Sequence, residues 1–324
     1  MANISKDLVV IIDEESRKSN LLDRWFSEGS KQNEKNHVIE TPLGNKRKVK
    51  GTLLIKPEIG RQAEEYIYLE ITDTCNFHCA HCGVKDNING VALEKVTADE
   101  AKYLTDKFLA AFSKQVQHIE ERKIGSRNIY FGGGEPLLNP SEFRRVNSYF
   151  ADAEKSERIV ITNGCALPLD LENLEKFVSQ YKLPIVFLTY AKAHRSQYER
   201  LARNGKPALA EFIPMDVAPK NALDKKAEIL TRNFSKIGAP FAVNVVDGKY
   251  RLANDLRSYI LKHTRNATIT ASNLPLFETV MDGTRKPCSQ GYELSIRSNG
   301  DMYPHCYDIF AGKNKVGVVG FLVK

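Results

Sequence analysis

Three thiols within eight positions set the chemistry that this chain can offer: Cys75, Cys79 and Cys82, in the run Thr72-Asp-Thr-Cys75-Asn-Phe-His-Cys79-Ala-His-Cys82. Thiolates at i, i+4 and i+7 on one loop can converge on a small object, and a soft metal centre is what thiolates select. Structural zinc sites close with four ligands, usually as two Cys-x-x-Cys-like pairs, and no second local pair stands here. An iron-sulfur cubane with three protein ligands and one open iron suits the spacing better. Two other readings stay open: His78 or His81 completes a zinc site, or the cysteines only pack. Packing cysteines are rarely bunched on a loop.

Two further stretches offer binding groups. In Phe131-Gly132-Gly133-Gly134-Glu135-Pro136 the glycines at a strand end let backbone approach a ligand, because no Cβ intervenes. Alone, such a triplet also reads as a tight turn. In Thr162-Asn163-Gly164 the asparagine can bond a ligand or simply form an Asn-Gly turn. Cys165, next in line, reads as a small buried residue. Tyr190 and Asn244, near later strand ends, read as core residues before they read as cavity wall.

Together these motifs resemble the signature of the radical S-adenosylmethionine (radical SAM) superfamily, in organisation over roughly Tyr66 to Phe321 and in detail over the stretches quoted. The resemblance implies that Cys75, Cys79 and Cys82 hold a 4Fe-4S cluster whose fourth iron takes the amino and carboxylate groups of SAM. It implies that His81, a planar ring where the family often has an aromatic residue, lies near the adenine. Gly133, Gly134 and Glu135 would bind the SAM amino group, largely through backbone carbonyls, and Asn163 the ribose or carboxylate. The implied activity is reductive cleavage of SAM to methionine and a 5′-deoxyadenosyl radical, which takes hydrogen from a substrate. An electron donor such as flavodoxin or ferredoxin is implied as partner. No residue is singled out as a general acid or as a hydrogen donor.

The stretch from Lys286-Pro-Cys288 to Met302-Tyr-Pro-His-Cys306 resembles the start of a SPASM or Twitch domain, which implies a second iron-sulfur cluster at Cys288 and Cys306, helped by His305 or Asp308. It departs from that pattern by the extra His305 and by lacking the further cysteines. A degenerate hairpin capping the cavity mouth is the alternative. Relatives with such tails often modify ribosomally made peptides, so a peptide is the first expected substrate. A small molecule, such as a sugar or nucleoside intermediate, is the second. A non-enzymatic zinc module is a reading from another class, and the Gly-Gly-Glu and Thr-Asn-Gly motifs argue against it.

The elements that must position these residues follow from periodicity. Tyr66 to Thr72 alternates and is rich in aromatic and β-branched residues, predicting a strand that ends just before Cys75. Strands are predicted at 128–132, 158–162, 184–190, 241–246 and 267–271. Helices are predicted from the capping box at Thr97 through Ile119, from Asn139-Pro140, and over 171–181, 195–204, 225–237 and 252–263. Alternation of strand and helix implies a parallel sheet with the chemistry beyond its carboxyl ends. The expected class is α/β: a partial (β/α)6 TIM-like barrel over residues 63–275, an N-terminal extension over 1–62 and a small C-terminal β-hairpin subdomain over 276–324. Within the extension, Leu8 to Ile12 reads as a strand, Glu14 to Phe26 as a helix and Ser27 to Asn36 as a loop. Residues 37–41 and 49–56 read as a hairpin through Pro42-Leu-Gly44-Asn.

Hydrophobic content of 42% and charged content of 27% fit a globular chain of 324 residues. The net charge of +7 is mild for that size and fits a solvated surface. The basic run Lys46 to Lys50 reads as a charged hairpin rather than a nucleic-acid contact, and no second basic stripe accompanies it. No apolar stretch is long enough to span a bilayer and no secretory signal is seen, so a cytoplasmic location is expected. Six cysteines, half of them clustered, suit metal chemistry in a reducing compartment.

Overall fold

The computed structural model describes residues 4–12, 30–55, 66–77, 101–121, 127–153, 156–203, 221–245, 269–271, 293–304 and 315–323. The alternation in β4 (Tyr66–Thr72) splits its side chains between two environments. Ile67, Leu69 and Ile71 are fully buried in the main core, whereas Tyr68 packs in a separate cluster with Tyr303, Tyr130 and Ile161. The apolar face is covered by helices; the other carries the polar groups of the site.

Beside β4 run β5 (Arg127–Gly133), β6 (Ser156–Thr162), β7 (Ile185–Tyr190), β8 (Phe241–Val245) and β9 (Ile269–Ala271), all parallel and in chain order. The described helices are α1 (Asp106–Glu121), α2 (Pro140–Ser148), α3 (Leu171–Tyr181), α4 (Lys192–Arg203) and α5 (Ala222–Ile237). They supply Phe108, Phe112, Phe143, Leu174, Tyr198 and Leu230 to the core against Phe131, Val160, Leu188 and Val243. The predicted α2 start is borne out: Asn139 caps it by accepting from Glu142 N, with Pro140 in the first turn.

Several sequence expectations change. Residues 101–105 are not helical, and α1 starts at Asp106, where Thr105 Oγ1 accepts from Phe108 N at 3.3 Å. Tertiary bonds win over helix propensity at 101–105. Tyr103 bridges to Thr72, Leu104 N donates to Ile71 O, and Tyr103 OH holds Pro136 O and Asn139 N. Thr97 to Glu100, like the expected helices at 14–26 and 252–263, lies outside the described residues. The segment expected as a loop at 27–36 is strand from Ser30 onward: β2 (Ser30–Glu40) pairs with β3 (Lys46–Ile55) through the predicted turn at 41–45.

At the other end, β10 (Glu293–Ile296) and β11 (Asp301–Tyr303) form the predicted hairpin. β10 lies parallel beside β4, so the hairpin extends the same sheet, whose order is β1-β3-β2-β12-β11-β10-β4-β5-β6-β7-β8-β9. β12 (Gly317–Val323) had no sequence-based expectation, yet it pairs with β1 (Ile4–Ile12), β2 and β11. With β1 also paired to β3, the four strands β1, β3, β2 and β12 close a ring. Val9, Ile11, Ile39, Val49, Leu53 and Val318 form a second, smaller core there. Closing the ring pairs strand edges that would otherwise be exposed. Among the described residues, no helix is long and apolar enough to cross a membrane.

Candidate functional site

The site is built where β4, β5 and β6 end. Cys75 follows β4 by three residues and is half-buried. The backbone N–H of Phe77 points at its sulfur at 3.3 Å, and Asn163 Nδ2 lies 4.0 Å from it. Amide hydrogens around a sulfur favour the thiolate, the form that ligates metal. Cys75 therefore fits a cluster ligand. Cys79, Cys82 and His81 lie outside the described residues, as do Cys288, His305, Cys306 and Asp308 of the expected second cluster.

The glycine triplet acts first on the protein itself. A Cβ on Gly134 would collide with the Thr74 carbonyl, and one on Gly133, whose φ is +115°, with the Thr72 carbonyl. Gly134 N donates to Thr72 O and Glu135 N to Thr74 O, both at 2.9 Å. Gly133 N donates to the Tyr68 hydroxyl at 2.9 Å. The loop after β5 thus lies directly against the three residues that lead to Cys75. Close approach was expected from sequence, and here another stretch of backbone is what is approached.

Glu135 is 1% exposed and its carboxylate is engaged by protein. Oε1 accepts from Thr162 Oγ1 at 2.6 Å and Leu137 N at 2.9 Å, while Oε2 accepts from Asn163 N at 2.7 Å. The Glu135 side chain ties the β5 loop to the β6 loop, leaving backbone as its surface toward any ligand. Asn163 is 5% exposed: its Nδ2 donates to Asn76 Oδ1 at 2.9 Å, its Oδ1 accepts from Cys165 N, and its carbonyl accepts from Tyr198 OH. The structure therefore brings together Cys75, Gly133, Gly134, Glu135 and Asn163.

Beneath them sits a buried titratable group that sequence reasoning missed. Lys226 on α5 is 0% exposed, with Nζ 5.7 Å from the centre of the Tyr198 ring. Burial pulls this lysine down to about 8, against the nearby Cys165 and Glu135, which hold it up. Burial pushes Glu135 above the usual carboxylate range, opposed by its hydrogen bonds and by Lys226. The same burial lifts the Cys165 thiol to about 11, as suits the small buried residue expected from sequence. Nothing in the amphipathic pattern of 222–237 marks Lys226, because an isolated lysine in a helix is ordinarily solvated.

On the strand face away from the helices, Glu70 is fully buried and meets Arg297 Nε at 3.3 Å and Ser298 Oγ at 2.5 Å. Burial raises its pKa, with Arg297 and Ser298 pulling the other way. Glu70 occupies an inward position of an alternating strand, the one signal that pointed to it. Tyr190 is 2% exposed in the main core and donates to Asp224, and Asn244 is 8% exposed, consistent with the core reading of both. The basic run reads as hairpin: Arg47 pairs with Asp301 at 2.8 Å.

Residues 69–185 match the model of the Radical SAM superfamily. Similar curated proteins include a GTP 3′,8-cyclase from Listeria welshimeri, 25% identical over 153 residues, which make up 47% of this chain and 41% of that protein. A GTP 3′,8-cyclase from Aliarcobacter butzleri is 23% identical over 294 residues, 82% of this chain and 80% of that one. The radical SAM cyclopropyl synthase TigE from Paramaledivibacter caminithermalis is 22% identical over 160 residues, 48% and 32% of the two chains. The chain spans about two fifths of the length of the Listeria relatives that it matches.

Proposed function

For a chain whose residues 69–185 match the Radical SAM superfamily, we propose membership of that superfamily and reductive cleavage of SAM at a 4Fe-4S cluster held by Cys75, Cys79 and Cys82, followed by hydrogen abstraction from a nucleotide or nucleoside. The observation that carries the chemistry is the convergence of three strand-end motifs on Cys75 through Glu135 and Asn163. When bound, the cluster supplies one electron to the sulfonium of SAM. The rest of the work falls to this chain's residues. Phe77 N–H and the Asn163 amide lie against the Cys75 sulfur, where they would favour a thiolate ligand. Glu135 fixes the spacing of the β5 and β6 loops, so that the Gly133 and Gly134 backbone is rigid where the SAM amino group would rest. His81 is assigned the adenine. We read β4 to β9 as the family's partial barrel, whose inner face, with Tyr68, Tyr130 and Tyr303, would exclude water from the radical.

The substrate assignment rests on the Aliarcobacter relative, which aligns over four fifths of both chains and is named for chemistry on GTP. A peptide, first expected from the C-terminal hairpin, has that resemblance alone behind it. A second cluster at Cys288 and Cys306, and a flavodoxin or ferredoxin as donor, belong to the same proposal.

The test is anaerobic reconstitution of the parent and of a Cys75/Cys79/Cys82→Ala variant, with iron and acid-labile sulfide counted per chain. Formation of 5′-deoxyadenosine is then followed with dithionite and SAM, with and without GTP, the other ribonucleotides and their nucleosides. Cluster and SAM cleavage lost together in the variant support the chemistry; SAM cleavage in the parent with GTP, the other ribonucleotides and their nucleosides all left intact would overturn the substrate while leaving the chemistry standing. A cluster that survives the triple variant would place a second one elsewhere. Sulfide-free zinc protein that leaves SAM intact would overturn the whole reading.

A further inference from the structure

A groove unrelated to the cysteine site lies at the amino ends of β6 and β7, walled by the carboxyl-terminal turns of α2 and α3. Its cavity of about 620 Å³ is lined by Arg144, Arg145, Arg158 and Lys182 together with Asn147 and Tyr181, and by no acidic side chain among the described residues. That volume is in the range of small-molecule sites. Arg158 precedes Thr162 by four residues on β6, about 13 Å along an extended strand. The groove and the strand-end site are therefore separate.

The groove is framed rather than loose. Asn147, 3% exposed, donates from Nδ2 to Lys182 O at 3.0 Å and accepts at Oδ1 from Arg158 Nη1 at 3.1 Å. One buried amide thus fixes the guanidinium on β6 and the backbone that closes α3. Lys182 has φ +49°, the only positive value outside glycine among the described residues. Glycine or asparagine is usual at such a helix end, so a lysine is held there at a conformational cost.

Cations at the ends of two helices have a plain explanation, compensation of the helix dipoles, and the charges decide whether it is enough. Arg145 is used up by Glu142 and Asp106. Arg144, Arg158 and Lys182 make no ion pair among the described residues, which leaves three positive charges. Each helix carboxyl terminus offsets about half a charge, so roughly two remain uncompensated. That surplus matches a phosphate monoester, which carries about −1.5 to −2 at neutral pH. Guanidinium groups suit its oxygens in pairs. Tyr181 lines the groove wall half-buried, its ring held against Phe177 at 4.8 Å between centroids, and so adds a fixed aromatic surface to the groove, the kind of group on which a base can stack.

We propose that this groove binds a nucleoside monophosphate, its phosphate on Arg144, Arg158 and Lys182 and its base on Tyr181. The test is calorimetric titration of the full chain with inorganic pyrophosphate and with AMP, in excess SAM so that AMP has no access to the adenosine position of the other site. The charge variant is Arg144→Ala/Lys182→Asn: both side chains are exposed, and asparagine keeps the left-handed backbone. It should weaken both probes by about tenfold or more, with unchanged circular dichroism, and added salt should weaken the parent likewise. Tyr181→Ala should weaken AMP and spare pyrophosphate. No saturable binding at millimolar probe, or equal affinity in the charge variant, overturns the proposal; so does tight binding of a single-stranded oligonucleotide with none of AMP.

Discussion

Glu135 accepts the backbone N–H of Asn163 at 2.7 Å across 28 residues of sequence, and this bond joins the two loops that flank Cys75. A buried carboxylate with three donors is favourable because none of its bonds competes with water.

Glu135→Gln keeps the size of the side chain but turns one oxygen into a donor that faces a backbone donor, Asn163 N–H or Leu137 N–H. The expected loss of stability is about 1–3 kcal/mol, read from denaturant unfolding. Cluster content after reconstitution should fall with it. A variant as stable as the parent, with a full cluster, would show that the staple does not hold the site.

Gly134→Ala drives a methyl group into the Thr74 carbonyl and must displace the segment leading to Cys75. Iron and sulfide per chain should drop while helix content by circular dichroism stays at the parental value. Gly238→Ala is the control: no atom lies within 4 Å of the added methyl group, although φ is +70°. Its cost should appear in stability and leave iron and sulfide unchanged.

Arg297→Met removes the guanidinium from buried Glu70 and leaves a carboxylate with only Ser298 to satisfy it. The expected destabilisation is about 3–5 kcal/mol. Adding Glu70→Gln should restore part of it, since the uncompensated charge is then gone. Equal stability of the single and double variants would mean that the charge carries no cost.

Lys226 and Cys165 oppose one another in alkaline solution. The lysine sits near 8 when folded and near 10.4 when unfolded, so the unfolded chain binds more protons in between. Stability therefore rises with pH across that window. The thiol sits near 11 when folded and near 8.5 when unfolded, so there the folded chain binds more, and stability falls. The two slopes offset in the parent. Relative to it, Lys226→Met should show a falling stability and Cys165→Ser a rising one, each on the order of 1 kcal/mol per pH unit. Urea midpoints measured between pH 8 and 10 decide this; parallel curves for all three proteins would count against the assignment.

Much of the architecture was legible because it is local. The alternation of Tyr66 to Thr72 gave β4 and the proximity of Cys75 to its end, Asn139-Pro140 gave the start of α2, and the pattern at 171–181 gave α3 to the residue. Glycine spacing announced a close approach at 132–134. The sequence by itself also carried the resemblance to the radical SAM superfamily over 69–185, since thiol spacing and strand-end motifs are matters of order along the chain.

Tertiary structure decided what is non-local. Tyr103 and Leu104 bond to Thr72 and Ile71, and that docking keeps 101–105 out of the helix that local propensity favoured. β12 lacked a readable signal because Gly317 and Gly320 interrupt it. Both glycines are required by backbone packed against them, Ile11 O and Glu40 O. The meeting of Glu135 with Thr162 and Asn163, the burial of Lys226 beside them, and the pairing of Glu70 with Arg297 across 227 residues have no counterpart in any periodicity. Periodicity reports which face a residue takes, whereas only the packed sheet fixes which charge lies opposite it.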